Sequence, residues 1–170
     1  MGLDVTAYEV LAPLSIADGA VESVVGEEDS EIVDLVQPAD FISLTGGISP
    51  GRYRSLGQEV SFRVGPYSWY KVWRNQLALL ILGKPAEEVC KARDVGPFVE
   101  LVCFSDQHGY FGPRTCAKLA DDFANHELEI LSKLDAAEET ATDRADFARV
   151  YEDFFKAFSL ACDTGVVEFG

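Results

Sequence analysis

The order in which strand-type and helix-type patterns follow each other is the feature that most constrains this fold. Apolar and polar residues alternate over 3–11, and short β-type runs follow at 31–36 and 40–44. The run 53–64 is either a strand pair broken near Gly57 or one bulged strand. Because strands come early and helices late, the sequence predicts an α+β fold: a mostly antiparallel sheet covered on one side by about three helices.

Three later segments carry apolar residues at helical spacing. Gly65-Pro66 opens a helix over 67–82, a second runs from Pro113 to about Leu134, and a third spans 143–162 with a broad aromatic face. Two further strands are predicted from apolar composition. They are PFVELVCF (97–104), a nearly continuous apolar run typical of a central buried strand, and VVEF (166–169) at the end of the chain.

Length and composition indicate one globular domain over 1–170. A polar, loop-rich segment lies near 12–30 and a glycine-rich loop near 45–51. The net charge is −15, from 14 Lys and Arg against 29 Asp and Glu. Such a surface repels nucleic acid and anionic lipid and suits a basic protein partner. We therefore expect a protein partner or a small ligand, with no direct nucleic-acid contact and no membrane.

Location and cofactors follow from what the sequence does not contain. There is no secretory signal, and the longest apolar run, Leu77 to Leu82, cannot span a bilayer, so we expect a cytoplasmic protein. The four dispersed cysteines then predict reduced thiols. His108 and His126 form no metal-binding motif, and no Walker loop or GxGxxG stretch is present. We expect neither a metal nor a cofactor.

The densest group of functional side chains lies in FSDQHGYFGPRTC (104–116). A strand end facing a helix start favours anions and can lower the pKa of a thiol. This segment therefore predicts an anion site on 112–115, or a hydrolase or transferase using Cys116, His108 and Asp106. The alternative is that Asp106 and Ser105 cap a turn and Cys116 belongs to the core.

A second group lies in FRVGPYSWYKVWRNQL (62–77), at the start of the first helix. Its arginines could hold an anionic ligand in a fork geometry, or they could pair internally with carboxylates while the aromatic residues fill the core. The candidate ligand-binding residues of the two segments are Arg63, Tyr67, Ser68, Tyr70, Arg74, Ser105, Asp106, His108 and Cys116.

Four segments together resemble a group of small uncharacterised proteins of bacteria, phages and prophages that begin MGLD[VI]TAY. They are MGLDVTAY, VGPYSWYKVWRNQL, PFVELVCFSDQHGYFGPRTCAKLADDF and YEDFFKAFSLACDTGVVEF. The resemblance implies a phage-associated setting and a role in host interaction. It implies no activity, fold or site residue.

The sequence is compatible with three classes of function. The first, which we favour because no complete catalytic set is visible, is a binding module for a small anionic ligand or a protein partner. The second is the hydrolase or transferase, which requires His108 and Cys116 to converge in a pocket. The third is an acidic DNA mimic that inhibits a nucleic-acid-binding protein, which requires a continuous stripe of carboxylates.

Overall fold

The strand segments pair into two antiparallel sheets. The structure is a computed structural model that describes residues 2–14, 31–105, 108–136 and 141–170. Its strands are β1 (Gly2–Tyr8), β2 (Leu11–Pro13), β3 (Ile32–Leu35), β4 (Gly51–Ser55), β5 (Glu59–Pro66), β6 (Gly109–Phe111) and β7 (Val166–Phe169). The main sheet has the order β5-β1-β7-β6 and the small sheet the order β2-β4-β3. All pairings between these strands are antiparallel.

Most strand predictions are confirmed. The run 31–36 contains β3, the segment 166–169 forms β7, and 53–64 contains parts of two strands, β4 and β5, separated at residues 56–58. These two strands lie in different sheets and do not pair with each other. The alternating pattern over 3–11 begins as β1 but ends at Tyr8, with β2 starting at Leu11. Most of the polar segment near 12–30 lies outside the described residues.

Five α-helices lie within the described residues. They are α1 (Tyr67–Leu82), α2 (Ala86–Ala92), α3 (Val99–Cys103), α4 (Pro113–Ala136) and α5 (Ala141–Ala161), with a 3₁₀ helix at Ala39–Thr45. The three long ones, α1, α4 and α5, confirm the three predicted helices and the α+β class. Gly83 ends α1 in the left-handed conformation, with φ 67°. Within the described ranges, no helix has both the length and the apolar character needed to span a membrane.

The main sheet lies between the helices and the small sheet. On β1, the alternate residues Leu3, Val5 and Ala7 are buried in the large core that also contains the inner faces of α1, α4 and α5. Residues on the opposite face of the main sheet, such as Tyr8 and Tyr110, pack in a smaller cluster with the strands of the small sheet. The small sheet therefore covers the second face at these residues, whereas Glu59, Ser61 and Arg63 of β5 are exposed on that face.

An aromatic cluster centred on Phe154 of α5 fills the large core. Its ring centroid lies 5.2 Å from those of both Trp73 on α1 and Phe62 on β5, and 6.0 Å from that of Phe169 on β7. Rings at these separations interact favourably beyond the area they bury. Phe154 thus joins a helix pair to two strands of the main sheet.

The predicted strand over 97–104 is wrong, because Val99–Cys103 forms α3. A continuous apolar run has no period, and it suits a short helix buried on several sides as well as a strand. Phe98 precedes α3 in the left-handed conformation, and its N–H donates to Asp122 Oδ2 on α4 at 2.8 Å. A carboxylate remote in sequence therefore binds the backbone immediately before this helix, a contact that local pattern cannot reveal.

The predicted strand over 40–44 is also wrong, since Ala39–Thr45 forms the 3₁₀ helix. Pro38 precedes it, and Gln37 Nε2 donates to the carbonyl of Phe41 at 2.7 Å, which supports the first turn. The Phe41 ring packs edge-on against Phe104 at 4.9 Å. The Gln37 hydrogen bond and the packing of Phe41 therefore accompany a helical turn where the apolar residues suggested strand pairing.

Two of the cysteines form a disulfide, so the expectation of four reduced thiols is wrong. Cys90 on α2 and Cys103 on α3 are bonded across a sequence separation of 13, with their Cα atoms 5.4 Å apart. Cys116 and Cys162 are free. Because disulfides are typical of oxidising compartments, this bond removes the thiol-based argument for a cytoplasmic location.

Replacement of Phe154 by Ala should destabilise the protein strongly. The change leaves a cavity among four elements, and the expected loss in the free energy of unfolding is about 3–5 kcal/mol. The neighbouring Phe155, which is half-buried, provides the matched control, and its replacement by Ala should cost about 1 kcal/mol. Urea denaturation measures both variants, and equal losses would contradict the central position of Phe154.

Reduction of the disulfide should also lower stability. A bond closing a loop of about 15 residues stabilises the folded state by about 3 kcal/mol, because it restricts the unfolded chain. Urea denaturation with and without dithiothreitol measures the effect. The double variant Cys90→Ala/Cys103→Ala serves as the control, since its midpoint should not respond to the reductant. A wild-type midpoint that is also unaffected would contradict the bond.

Candidate functional site

A polar cleft of about 360 Å³ opens where the end of the 3₁₀ helix meets the start of α4. It brings together the glycine-rich loop near 45–51 and the end of the segment 104–116, which are far apart in sequence. α3 supplies the third wall. The lining residues are Ser43, Thr45, Gly46, Gly47, Glu100, Arg114, Thr115 and Lys118.

Backbone contacts that require glycine hold this junction together. The N–H of Gly112 donates to the carbonyl of Leu44 at 2.9 Å, and the N–H of Arg114 donates to that of Gly46 at 3.3 Å. A Cβ atom at position 112 would lie 1.6 Å from the carbonyl oxygen of Thr45. Only glycine allows the two backbones to approach this closely.

The first turn of α4 is therefore partly capped by the protein itself. Besides the backbone bonds, Thr115 Oγ1 donates to the carbonyl of Leu44 at 3.0 Å. The predicted anion site on 112–115 thus lies at the cleft, but the N–H of Arg114 already has a carbonyl acceptor there. A ligand would be contacted mainly by the side chains of this turn.

Arg114 is the cation most available to a ligand. Its Nε donates to the carbonyl of Gly46 at 3.2 Å, and a Cβ atom added to Gly47 would lie 3.4 Å from its Nη2. The guanidinium is thus held against the glycine pair by a neutral acceptor. No carboxylate within the described ranges forms a salt bridge with Arg114. Its charge remains directed toward the cleft and solvent.

Lys118, one turn further along α4, is bound to the protein on several sides. Its Nζ donates to the carbonyl of Gly96 at 2.7 Å and forms salt bridges with Glu100 and, at 2.8 Å, with Asp122. Lys118 therefore fixes α3 and the loop before it against α4. It contributes positive charge to the cleft, but two carboxylates share that charge.

Two of the candidate residues on α1 belong to the core. Arg74 is 6% exposed; its Nη1 donates to the carbonyl of Val102 at 2.7 Å, and its guanidinium carbon lies 4.9 Å from the centre of the Tyr70 ring. Arg74 Nε and the Tyr70 hydroxyl have no hydrogen-bond partner among the described residues. Burial raises the pKa of Tyr70. Neither residue lines the cleft.

The other candidates of that group are dispersed. Arg63 is exposed on β5 and approaches Asp4 on β1 at 3.9 Å, as the internal-pairing alternative requires. The hydroxyl of Tyr67 donates to the carbonyl of Ser105, linking the start of α1 to the end of α3. Ser68 is exposed on α1. None of these side chains lines the cleft.

The three residues proposed for catalysis, Cys116, His108 and Asp106, differ in their surroundings or in whether the structure describes them. Cys116 is 0% exposed, and its Sγ donates to the carbonyl of Phe111 at 3.2 Å. Burial raises the pKa of the Cys116 thiol, so it is protonated at neutral pH and inaccessible to a substrate. His108 is exposed, and Asp106 lies outside the described residues. This environment opposes a nucleophilic role for Cys116.

Sequence reasoning missed part of the cleft lining, namely Ser43, Thr45, Glu100 and Lys118. The contacts that assemble the cleft span 68 residues, from Gly46 to Arg114. Two features of the sequence could have indicated the cleft. They are the glycine pair Gly46-Gly47 and an arginine, Arg114, in the first turn of a helix in an acidic chain. Within the described ranges, no group of three or more His, Cys, Asp or Glu side chains could hold a metal ion.

Cys116 should resist alkylation in the native protein. Iodoacetamide at pH 8 should modify Cys162, which is partly exposed, and leave Cys116 unmodified, because only an accessible thiolate reacts. Both thiols should react in urea. Peptide mass spectrometry after labelling distinguishes the two positions, and rapid native labelling of Cys116 would restore the enzyme hypothesis.

Comparison with known proteins provides no relative from which a function could be transferred. No protein family model, no curated protein and no solved structure matches this chain. What the chain binds must therefore be inferred from the chemistry and geometry of its own side chains, beginning with the cleft at the start of α4.

Proposed function

We propose that this protein is a binding module that holds a small anionic ligand, of the phosphate or carboxylate type, in the cleft between the 3₁₀ helix and α4. The observation that carries the proposal is the position of Arg114. Its guanidinium is anchored by the carbonyl of Gly46, and no carboxylate of the described residues forms a salt bridge with it. An arginine held in this way presents its remaining N–H groups as a planar fork for an oxyanion.

The local charge supports an anion. Of the two cations that line the cleft, Lys118 is paired with the carboxylates of Glu100 and Asp122, whereas no described carboxylate forms a salt bridge with Arg114. The positive end of the 24-residue helix α4 faces the same side. The charge available to an anion is therefore mainly that of Arg114, in a chain with 14 basic and 29 acidic side chains.

Neutral polar groups add hydrogen-bonding capacity around the arginine. The hydroxyls of Ser43, Thr45 and Thr115 line the cleft. Those of Thr45 and Thr115 already donate to the carbonyls of Ile42 and Leu44, which leaves their oxygens as acceptors for a protonated ligand oxygen. The lining thus offers both donors and acceptors.

The size of the cleft limits the ligand. Pockets for drug-sized molecules range from about 300 to 1,000 Å³, and this cleft, at about 360 Å³, lies near the lower limit. It fits a single phosphate or carboxylate group with a small substituent. A protein that inserts an acidic side chain is the related alternative, and the phage-associated setting of the resembling proteins is compatible with it.

A continuous carboxylate stripe, which DNA mimicry requires, is interrupted on the long helices. Ion pairs at i, i+4 spacing join Lys133 to Glu129 on α4 and Lys156 to Glu152 on α5, at 2.7 and 2.9 Å. Each pair places a cation among the acidic groups of its helix. We therefore favour the small-ligand site over mimicry.

Inorganic phosphate should stabilise the protein through Arg114. At ten times its dissociation constant, a ligand of the native state adds about 1.4 kcal/mol, which corresponds to a rise in Tm of about 4 °C for a chain of this size. Thermal unfolding of the full chain in sodium phosphate is compared with sodium chloride at equal ionic strength. Arg114→Ala should abolish the rise.

The control variant is Arg149→Ala, which removes an exposed arginine from α5, where it pairs with Asp153. This variant should keep the full response to phosphate. A rise of equal size in Arg114→Ala would assign the effect to another site. No rise with phosphate, sulfate or small carboxylates in the wild type would contradict the proposed function.

A further inference from the structure

The strand β5 forms an open edge of the main sheet. It is last in the order β5-β1-β7-β6, and β1 is its only strand neighbour among the described residues. Glu59, Ser61 and Arg63 are exposed, and Val60 is 38% exposed. An exposed edge strand carries backbone donors and acceptors that can pair with another strand.

The direction of these backbone groups follows from the pairing with β1. The N–H of Glu9 donates to the carbonyl of Gln58 at 3.0 Å, and the register continues without a shift through Tyr8 and Glu59. In an antiparallel ladder, bonded and non-bonded positions alternate. The backbone groups of Val60 and Phe62 therefore face β1, and those of alternate residues 59, 61 and 63 face the open edge.

A side-chain contact supports this assignment. The hydroxyls of Thr6 on β1 and Ser61 on β5 are 2.9 Å apart. Opposed residues are closest at the non-hydrogen-bonded positions of an antiparallel pair, where the Cα atoms are about 4.5 Å apart. The N–H and carbonyl of Ser61 are therefore not bonded to β1, and no other described strand pairs with them at the edge.

The edge sequence Glu59-Val60-Ser61-Phe62-Arg63 is self-complementary in the antiparallel direction. We propose that β5 pairs with β5 of a second copy of this chain, around a two-fold axis at Ser61. Ser61 then faces Ser61 of the second copy, and Glu59 faces Arg63 of the second copy in two equivalent pairs. The same register matches the outward-facing backbone groups of 59, 61 and 63.

The charges at the two ends of this segment are poorly neutralised within one chain. No described cation forms a salt bridge with Glu59, and burial together with the nearby Glu31 raises the pKa of its carboxyl group. Among the described residues Arg63 forms a salt bridge with Asp4 alone, at 3.9 Å, with both side chains exposed. Pairing would bring a guanidinium to each Glu59 carboxylate.

The other face of the segment is also complementary. Val60 of one copy would face Phe62 of the other, and both side chains are incompletely buried in the single chain. Phe62 already touches the aromatic cluster through Phe154, at 5.2 Å. Pairing would therefore extend the apolar face of the main sheet across the two-fold axis and join two four-stranded sheets into one.

Sedimentation velocity over a range of protein concentrations tests this pairing with the full-length chain. A single short strand pair buries less than a standard interface of about 1,600 Å², so the dimer should form reversibly and dissociate on dilution. Glu59→Arg and Arg63→Glu each place like charges opposite each other twice. Each should raise the dissociation constant of the dimer about tenfold or more.

Two further variants separate pairing from general effects of charge or stability. The double variant Glu59→Arg/Arg63→Glu restores opposite charges across the axis and should recover dimerisation. Ser61→Pro removes the N–H that faces the edge and the exposed hydroxyl contact with Thr6 but no backbone hydrogen bond to β1, so it should abolish the dimer while circular dichroism stays native.

Three outcomes would overturn the proposal. The first is a wild-type protein that stays monomeric up to about 0.5 mM, a concentration at which even weak strand pairing should be populated. The second is a dimer that natively folded Ser61→Pro leaves intact, since the interface would then lie elsewhere. The third is a charge-swapped double variant that dissociates as much as the single variants do, because the two charges would then not face each other.

Discussion

The packing of Phe154 against rings from α1 and the main sheet is the interaction on which the rest of the structure depends. Its neighbours Trp73, Phe62 and Phe169 come from a helix and two strands that are distant in sequence. Because these rings pack on one face of the sheet, they determine the position of α1 and α5 over β5 and β7. The elements that form the cleft and the edge of β5 pack on this cluster. The geometry of both sites is therefore fixed in the protein without a ligand or a partner.

The cleft is linked to that core through a single turn of chain between β6 and α4. Phe111 and Cys116 point into the large core, whereas Arg114 lies on the exposed side of the same turn. Between them, Gly112 brings the backbone against the carbonyl of Thr45. The core side of this turn thus fixes the arginine on its outer side. The same arrangement explains why Cys116, adjacent in sequence to a ligand-facing segment, is buried and protonated.

The sequence predicted those elements whose pattern repeats over several turns or alternates over several residues. The helices α1, α4 and α5 and the strands β1, β3 and β5 belong to this group, whereas β7 was predicted from its apolar composition. The segments 97–104 and 40–44 were predicted wrongly because a short apolar run has no period, and their actual structure depends on caps and contacts made by remote residues. The disulfide and the cleft could not be predicted from sequence patterns for the same reason, because both depend on contacts between separate elements. Cys90 meets Cys103, and Gly46 meets Arg114, only after the helices have packed.

The net charge of −15 limits which interactions can drive the two proposed contacts, the anion in the cleft and the second copy at β5. An anion, or a second copy of the chain, is repelled at long range, so neither can be gathered by electrostatic steering. Attraction must come from groups within a few ångströms, which are the Arg114 guanidinium in the cleft and the Glu59–Arg63 pairs at the edge. At physiological ionic strength the Debye length is about 8 Å. Salt therefore screens much of the long-range repulsion. It weakens the attraction within close, partly desolvated charge pairs to a smaller extent. If both contacts form as proposed, their specificity rests on the geometry of a few fixed side chains.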